Sequence, residues 1–200
     1  MTRVARGRIG CRSRSGPACQ SGVVAITVVK ASTAEDRACF EQLVLEYVAS
    51  LPFSLDFQHF EEELAGLAQL YGPPAGCALV AKLDGEPVGC AGIRALESGI
   101  AELKRMYVRP EARRCGAGRA LTEAALAAAG RLGYDVVRLD TTTEMVGAMR
   151  IYERLGFAPI AAYRYSPLDG ARFYEVRLGA PAGDRTQTHA PQPETETPDA

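Results

Sequence analysis

"AELKRMYVRPEARRCGAGRALTEAALAAAGRLGYDVVRLDT", residues 101–141, changes its rhythm twice in one run and sets the order of elements at the heart of the fold. Residues 101–108, "AELKRMYV", suit a strand. Residues 116–132 bring Ala117, Leu121, Ala124, Ala125, Ala128 and Leu132 onto one helical face, which Gly133 ends. "DVVRLDT", 135–141, is a strand again. Strand, helix and strand in that order form a crossover unit, so the two strands should be parallel and the connection right-handed. The joint before the helix is unusual, because "RPEARRCGAGRAL", 109–121, sets four arginines around Gly116 and Gly118. The glycines leave backbone N–H groups uncovered at a helix start, where unpaired donors and the positive dipole end favour an anion. Arg113, Arg114 and Arg119 add charge at the same spot. A phosphate or pyrophosphate meets that description. So, on these residues alone, does a loosened helix start with solvated arginines.

Outward from this unit the other elements follow. Val23 to Val29 suits a first strand. Thr33 can cap a helix, with Asp36 three residues on, and Phe40, Leu43, Val44, Tyr47, Val48 and Leu51 then recur at helical spacing until Pro52. A shorter helix from Asp56 to Leu67 groups Phe57, Phe60 and Leu64, with Glu61, Glu62 and Glu63 at its edge. "CALVAKLDGEPVGCAGIRAL" reads as two strands joined at Asp84-Gly85, a hairpin signal. After the crossover comes a helix with Met145, Ala148, Met149, Tyr152 and Leu155 on one stripe and Gly156 as its stop. Strands from Phe157 to Tyr163 and from Ala171 to Leu178, separated by "SPLDG", complete a mixed sheet with helices on both faces.

The chain has 200 residues, 47% of them hydrophobic, which suits one domain with a sizeable core plus some extra chain. A net charge of −1 lacks the basic excess of a non-specific nucleic-acid binder, so any anion site must be local. The six cysteines form no C-x-x-C pair and the histidines are only His59 and His189, so neither a disulfide framework nor a metal centre is indicated. No apolar run approaches a membrane span, and a cytoplasmic setting is the default. Residues 1–21 carry five arginines and no acid and read as a disordered basic leader. With "GVVAITVV" behind it the leader could be read as a signal peptide, but that apolar stretch is of minimum length and works equally well as a first strand, so a mis-assigned start or a flexible arm accounts better for the leader. Residues 180–200, rich in Pro, Thr and acid, read as a disordered tail, which leaves 22–179 as the domain.

The arginine-glycine turn does not match the G-x-x-x-x-G-K-[ST] phosphate loop. It also fails the dinucleotide fingerprint, since the third position is Leu121 and about seven residues separate Val108 from Gly116, although Asp140 falls roughly where a ribose-binding acid would. The spacing R-x-x-G-x-G, Arg113 to Gly118, after a strand ending "RMYV", resembles the acyl-CoA loop of the GNAT superfamily of N-acetyltransferases. "AMRIYERLGF", 148–157, resembles the next signature of that superfamily, a helix carrying a tyrosine and closing with Gly-Phe. The resemblance spans roughly residues 22–179. "LDFQHFEEEL", "AELKRMYV" and "RLDT" are similar to an uncharacterised bacterial branch whose amine substrates are mostly unassigned. It implies an α/β fold: a mixed, mostly antiparallel sheet of about six to seven strands, with a parallel splayed central pair and helices on both faces.

The resemblance also implies chemistry: transfer of an acetyl group from acetyl-CoA to a primary amine of a small molecule or peptide, by direct attack in a ternary complex and without a metal. Backbone N–H groups of Met106, Tyr107 and Val108 would receive the pantetheine arm and polarise the thioester carbonyl. The loop of Arg113, Arg114, Cys115, Gly116, Ala117, Gly118 and Arg119 would hold the pyrophosphate, and Cys115 is a loop residue, since direct transfer needs no covalent relay. Tyr152 matches the tyrosine that protonates the departing thiolate, or is a core tyrosine with its hydroxyl tied down. Glu102 lies at the interval from Gly116 of a family general base, or pairs with a basic neighbour on the sheet. Such a base matters, because an alkylammonium of pKa about 10.4 costs roughly 4.6 kcal/mol to deprotonate at pH 7.

Asp56, Glu61, Glu62 and Glu63 attract a cationic acceptor or are a solvated helix face. Tyr163 and Tyr165 line the acceptor site or are loop tyrosines. Thr142, Thr143 and Glu144 stand where many members place a cofactor-touching asparagine. A non-catalytic acyl-CoA sensor and a nicotinamide enzyme are the rival readings. No nucleic-acid or membrane partner is implied, and a homodimer is left open.

Overall fold

The two strands of the crossover unit run side by side for only three residues. In the computed structural model, which describes residues 25–55 and 58–179, seven strands form one sheet. They are β1 (Ile26–Lys30), β2 (Cys77–Leu83), β3 (Glu86–Glu97), β4 (Ile100–Val108), β5 (Val136–Thr142), β6 (Ala158–Ile160) and β7 (Ala171–Arg177), in the spatial order β1-β2-β3-β4-β5-β7-β6. Every neighbouring pair is antiparallel except β4 and β5. Those two pair through Ile100↔Val136, Ala101↔Val137 and Glu102↔Arg138. Beyond that point β4 continues to Val108 against β3, and β5 continues to Thr142 against β7. The sheet therefore forks from Leu103 onward.

Helices cover both faces. On one, α1 (Ala34–Ala49) is capped by Thr33, whose Oγ1 accepts the Asp36 N–H at 3.0 Å, and it buries Phe40, Leu43 and Val44. With α2 (Phe60–Ala65) and α3 (Leu67–Leu70) it closes a core that includes Val80, Cys90 and Tyr107. On the other, α4 (Ala117–Arg131) lays Leu121, Ala125 and Ala128 over Leu79, Ile93 and Leu103, and α5 (Val146–Arg154) adds Tyr152. The small alanine side chains let α4 lie close to the strands, and few other residues would. The β2–β3 turn holds Asp84 at φ 49 and Gly85 at φ 95, the two positive angles that a tight hairpin of this hand requires.

Two elements differ from the sequence reading. The helix expected from Asp56 to Leu67 is two short helices that meet at Gly66, and it starts late because His59 sits in the left-handed region at φ 54. Asp56 and Phe57 lie outside the described residues, as do Val23, Val24, the leader and the tail from Ala180. The strand expected from Phe157 to Tyr163 spans only Ala158–Ile160, because it is an edge strand with β7 as its sole neighbour.

Candidate active site

The head of α4 is a turn made by backbone. Gly116 caps it at φ 88 and Arg114 precedes it at φ 65, so the chain turns through left-handed geometry before the helix begins. The N–H groups of Ala117, Gly118 and Arg119 are the first of the helix and have no intrahelical acceptor. Ala117 is 1% exposed, so a ligand there meets its main chain. At Gly118 a Cβ would stand 3.1 Å from Ile151 Cδ1, in the face that α5 presents to α4, so a larger residue there would require that side chain to shift by a few tenths of an ångström. The three arginines are not equivalent. Arg113 Nε donates to the Val108 carbonyl at 3.2 Å, and Arg119 Nε donates to Glu123 at 2.7 Å. Arg114 is exposed and meets no side-chain partner among the described residues. Cys115 is a half-buried free thiol.

The strand leading to that turn carries a bulge. Cys90 pairs with Tyr107 and Gly92 with Lys104, so Ala91 alone faces Arg105 and Met106, and Arg105 takes φ 54. A non-glycine residue held there in mid-strand is an observed strain, and strain of this kind collects at functional sites. The bulge sends the Lys104 and Arg105 side chains to the same side of the sheet, Lys104 onto Gln58 and Arg105 onto Glu63. Past it, Met106 and Val108 pack toward α4, while Tyr107 joins the opposite core with its ring 6.0 Å from Tyr47. The Tyr107 backbone N–H is turned to Cys90 on β3 and that of Arg109 to Val88, so strand alternation leaves Met106 and Val108 with main chain toward the open edge of the fork.

Inside the fork is a cavity of about 40 Å³ lined by Tyr47, Gln58, Lys104, Asp140, Thr141 and Tyr152, together with neighbouring strand residues. Tyr152 is 5% exposed and stacks on Phe157 with centroids 5.6 Å apart. Its hydroxyl is not tied down by any partner among the described residues, and burial pushes that phenol above its ordinary range. Thr141 Oγ1 is likewise buried and unpaired. Tyr47 is pushed up to about 12, again by burial.

Behind the cavity lies a buried ionic network. Glu102 is fully buried. Its Oε2 accepts from Arg94 Nε at 3.0 Å and Nη2 at 2.7 Å, and its Oε1 accepts from the Tyr163 hydroxyl at 2.9 Å. It pairs at the base of the fork and is not among the residues lining the cavity. Asp140 holds Lys104 Nζ at 3.4 Å and pairs with Arg164; burial alone would raise its carboxyl, but Lys104 and Arg164 keep it below the usual range. Burial pushes the Lys104 ammonium down to about 8, against the pull of Asp140.

The acids of α2 divide in a way the sequence reading did not foresee. Glu61 and Glu62 are exposed, as expected of a solvated face. Glu63 is not on that face: it is 4% exposed and grips Arg105 at 2.6 and 2.7 Å, accepting also from the Tyr71 hydroxyl at 2.7 Å. Burial works to raise its carboxyl, and the Arg105 guanidinium outweighs burial and lowers it. Tyr163 turns inward onto Glu102, whereas Tyr165 is 82% exposed. Thr142 is buried, and Thr143 and Glu144 are exposed. Lys104, Arg94 and Arg164 were not singled out from the sequence. The strand alternation of "AELKRMYV" would have put Lys104 on the Glu102 face, but nothing local signals the bulge.

A forked sheet with a side-chain-poor, basic turn at the head of the adjoining helix defines an acyl-carrier-binding transferase fold. Residues 39–157 match the model of the Acetyltransferase (GNAT) family. An uncharacterized N-acetyltransferase of Schizosaccharomyces pombe is 32% identical over 159 residues, 78% of this chain and 95% of that protein. Another, of Escherichia coli, is 30% identical over 66% of this chain and 83% of its own length. A GNAT-family acetyltransferase structure from Staphylococcus aureus superimposes with a TM-score of 0.62 at 21% identity, over 78% of this chain and 100% of that one. The chain belongs to the GNAT acetyltransferase family, and it is an acetyl-CoA-dependent acyltransferase. The nicotinamide reading falls with that assignment. The yeast relative shows that the likeness is not confined to bacteria. Among the described residues no helix is long and apolar enough to cross a membrane, and no group of three His, Cys, Asp or Glu converges as for a metal.

Proposed function

We propose that this protein transfers an acetyl group from acetyl-CoA to a primary amine of a small molecule or peptide, by direct attack within a ternary complex. The observation that carries the reading is the fork between β4 and β5, whose open edge ends at the arginine-glycine turn. An extended carrier fits along that edge, its diphosphate at the N–H groups of residues 117–119 with Arg114 beside it. A structure from Salmonella typhimurium with the same fold, TM-score 0.57 at 19% identity, is described with acetyl-CoA as its cofactor, which supports the docking mode.

The residues divide the work. Main chain at Met106 and Val108, on either side of Tyr107, receives the pantetheine arm and steadies negative charge on the carbonyl oxygen. Tyr152, with a free hydroxyl at the cavity wall, supplies the proton that the departing sulfur needs. Titration calorimetry with CoA tests the carrier site, and release of free thiol from acetyl-CoA across a panel of amines tests transfer. Heat with CoA and amine-dependent thiol release are expected. Absence of heat would sink the carrier site, and heat without amine-dependent thiol across the panel would sink the transfer.

A further inference from the structure

The ammonium of an acceptor must lose a proton before it attacks, and the family interval points to Glu102. The structure offers a different group. Both oxygens of Glu102 are engaged, by Arg94 and by the Tyr163 hydroxyl, and Glu102 does not reach the cavity. Lys104 does, and it shares the cavity with Tyr152. Its Nζ donates to Gln58 Oε1 at 2.9 Å and has Asp140 Oδ1 at 3.4 Å, a loose pair for a side chain only 5% exposed.

Among the described residues the charges around it do not balance. Glu63, Glu102 and Asp140 face Arg94, Lys104, Arg105 and Arg164, three carboxylates against four cations, in one connected cluster. Arg138, at the rim, pairs separately with Glu175 at 2.8 Å and with the exposed Glu97 at 3.5 Å. A buried uncompensated charge is costly, and a guanidinium does not give up its proton. Lys104 is the only cation of the four that can, and its deprotonation leaves the cluster neutral.

We infer that Lys104, as a neutral amine in the fork, takes the proton from the acceptor ammonium, with Tyr152 as the separate donor to sulfur. This rests on the acetyl-transfer reading above. The ammonium brings three protons. One passes to the Lys104 Nζ lone pair; the freed nitrogen pair bonds to the thioester carbon, and the C–S bond breaks with its electrons on sulfur. Tyr152 protonates the sulfur and recovers a proton from the attacking nitrogen, and the third proton stays on the amide. Lys104 then returns its proton to water.

The electrostatics agree with that geometry. Burial lowers Lys104 to about 8, Arg164 and Arg105 push the same way, and Asp140 and Glu102 oppose. Among the described residues, Tyr47 from α1, Tyr71 after α3, Tyr152 from α5 and Tyr163 after β6 are further titratable groups around the cavity and its network, and all are raised. About a tenth of Lys104 is then neutral at pH 7 and about half at pH 8.

The chain has three lysines, Lys30, Lys82 and Lys104, so lysine-labelled full-length protein gives three side-chain NMR signals, and Lys104→Arg identifies one. We expect that signal to titrate near pH 8, and kcat/KM for the best amine of the panel to rise with the same midpoint. Lys104→Arg should lower turnover about a hundredfold or more and abolish that limb, with CoA affinity unchanged. Asp140→Asn should move the midpoint down, and Arg164→Gln should move it up. A Lys104 signal still protonated at pH 10, or a Lys104→Arg profile like wild type, overturns the inference. So does a raised KM with the limb intact, which marks a residue that only shapes the acceptor pocket. Loss in Glu102→Gln but not Lys104→Arg returns the role to Glu102. Wild type that gives no calorimetric heat with CoA fails the acetyl-transfer reading instead.

Discussion

The turn at the head of α4 and the cavity in the fork lie side by side, with Gly118 packed against Val108 and Ile151, yet they are built by opposite means. The turn comes from one run of sequence and offers main chain, with its charge held on exposed arginines. The cavity is assembled from β4, β5, α1, α5 and the segment before α2, and its walls are buried side chains held by ion pairs. A site made of backbone tolerates side-chain change and keeps its geometry as long as the helix start does. A site made of buried ions loses both its shape and its charge balance when one partner is removed.

The largest effect should come where an ion pair fixes the fold of the cavity. Glu63→Ala leaves Arg105 buried without its carboxylate and should cost about 3–5 kcal/mol of stability, read by chemical denaturation. Because the folded Glu63 carboxyl titrates below its unfolded value, its contribution is complete above roughly pH 5 and is lost as the pH falls through the folded value. Glu63→Gln should therefore flatten the acid limb of the stability curve.

Next in size, Tyr152→Phe should lower turnover about a hundredfold, equivalent to about 2.7 kcal/mol in the barrier, while calorimetry finds the CoA affinity unchanged. Equal turnover would make the ring a packing residue only. On the other side of the comparison, Arg114→Glu should weaken CoA about tenfold and flatten its salt dependence, with the melting temperature unmoved. A change in melting temperature would blur the distinction between the two regions. Smallest is a cap remote from both: Thr33→Ala should cost about 1 kcal/mol of stability and leave CoA binding alone.

Much of the fold was legible because its signals are local. The α4 face, the Asp84-Gly85 hairpin, the Thr33 cap and the crossover unit each occupy a short span in which period or turn chemistry speaks for itself. The arginine-glycine turn was legible for the same reason. Glu63 was not, since three consecutive glutamates look alike until the helix docks and one of them meets Arg105. The role of Lys104 was hidden too. Strand alternation gives its face, but the bulge, Gln58 and the competition between Lys104 and Arg164 for Asp140 bring together residues up to 106 positions apart in the chain.

By itself the sequence determined the order of elements, the parallel central pair and the arginine-glycine turn, because each depends on periodicity and on backbone groups that neighbouring residues expose or cover. Tertiary structure decided how far β4 and β5 stay together, which carboxylates are buried, and which amine is left short of a counter-charge. Those are properties of distance and dielectric between segments far apart along the chain, and no local pattern encodes them.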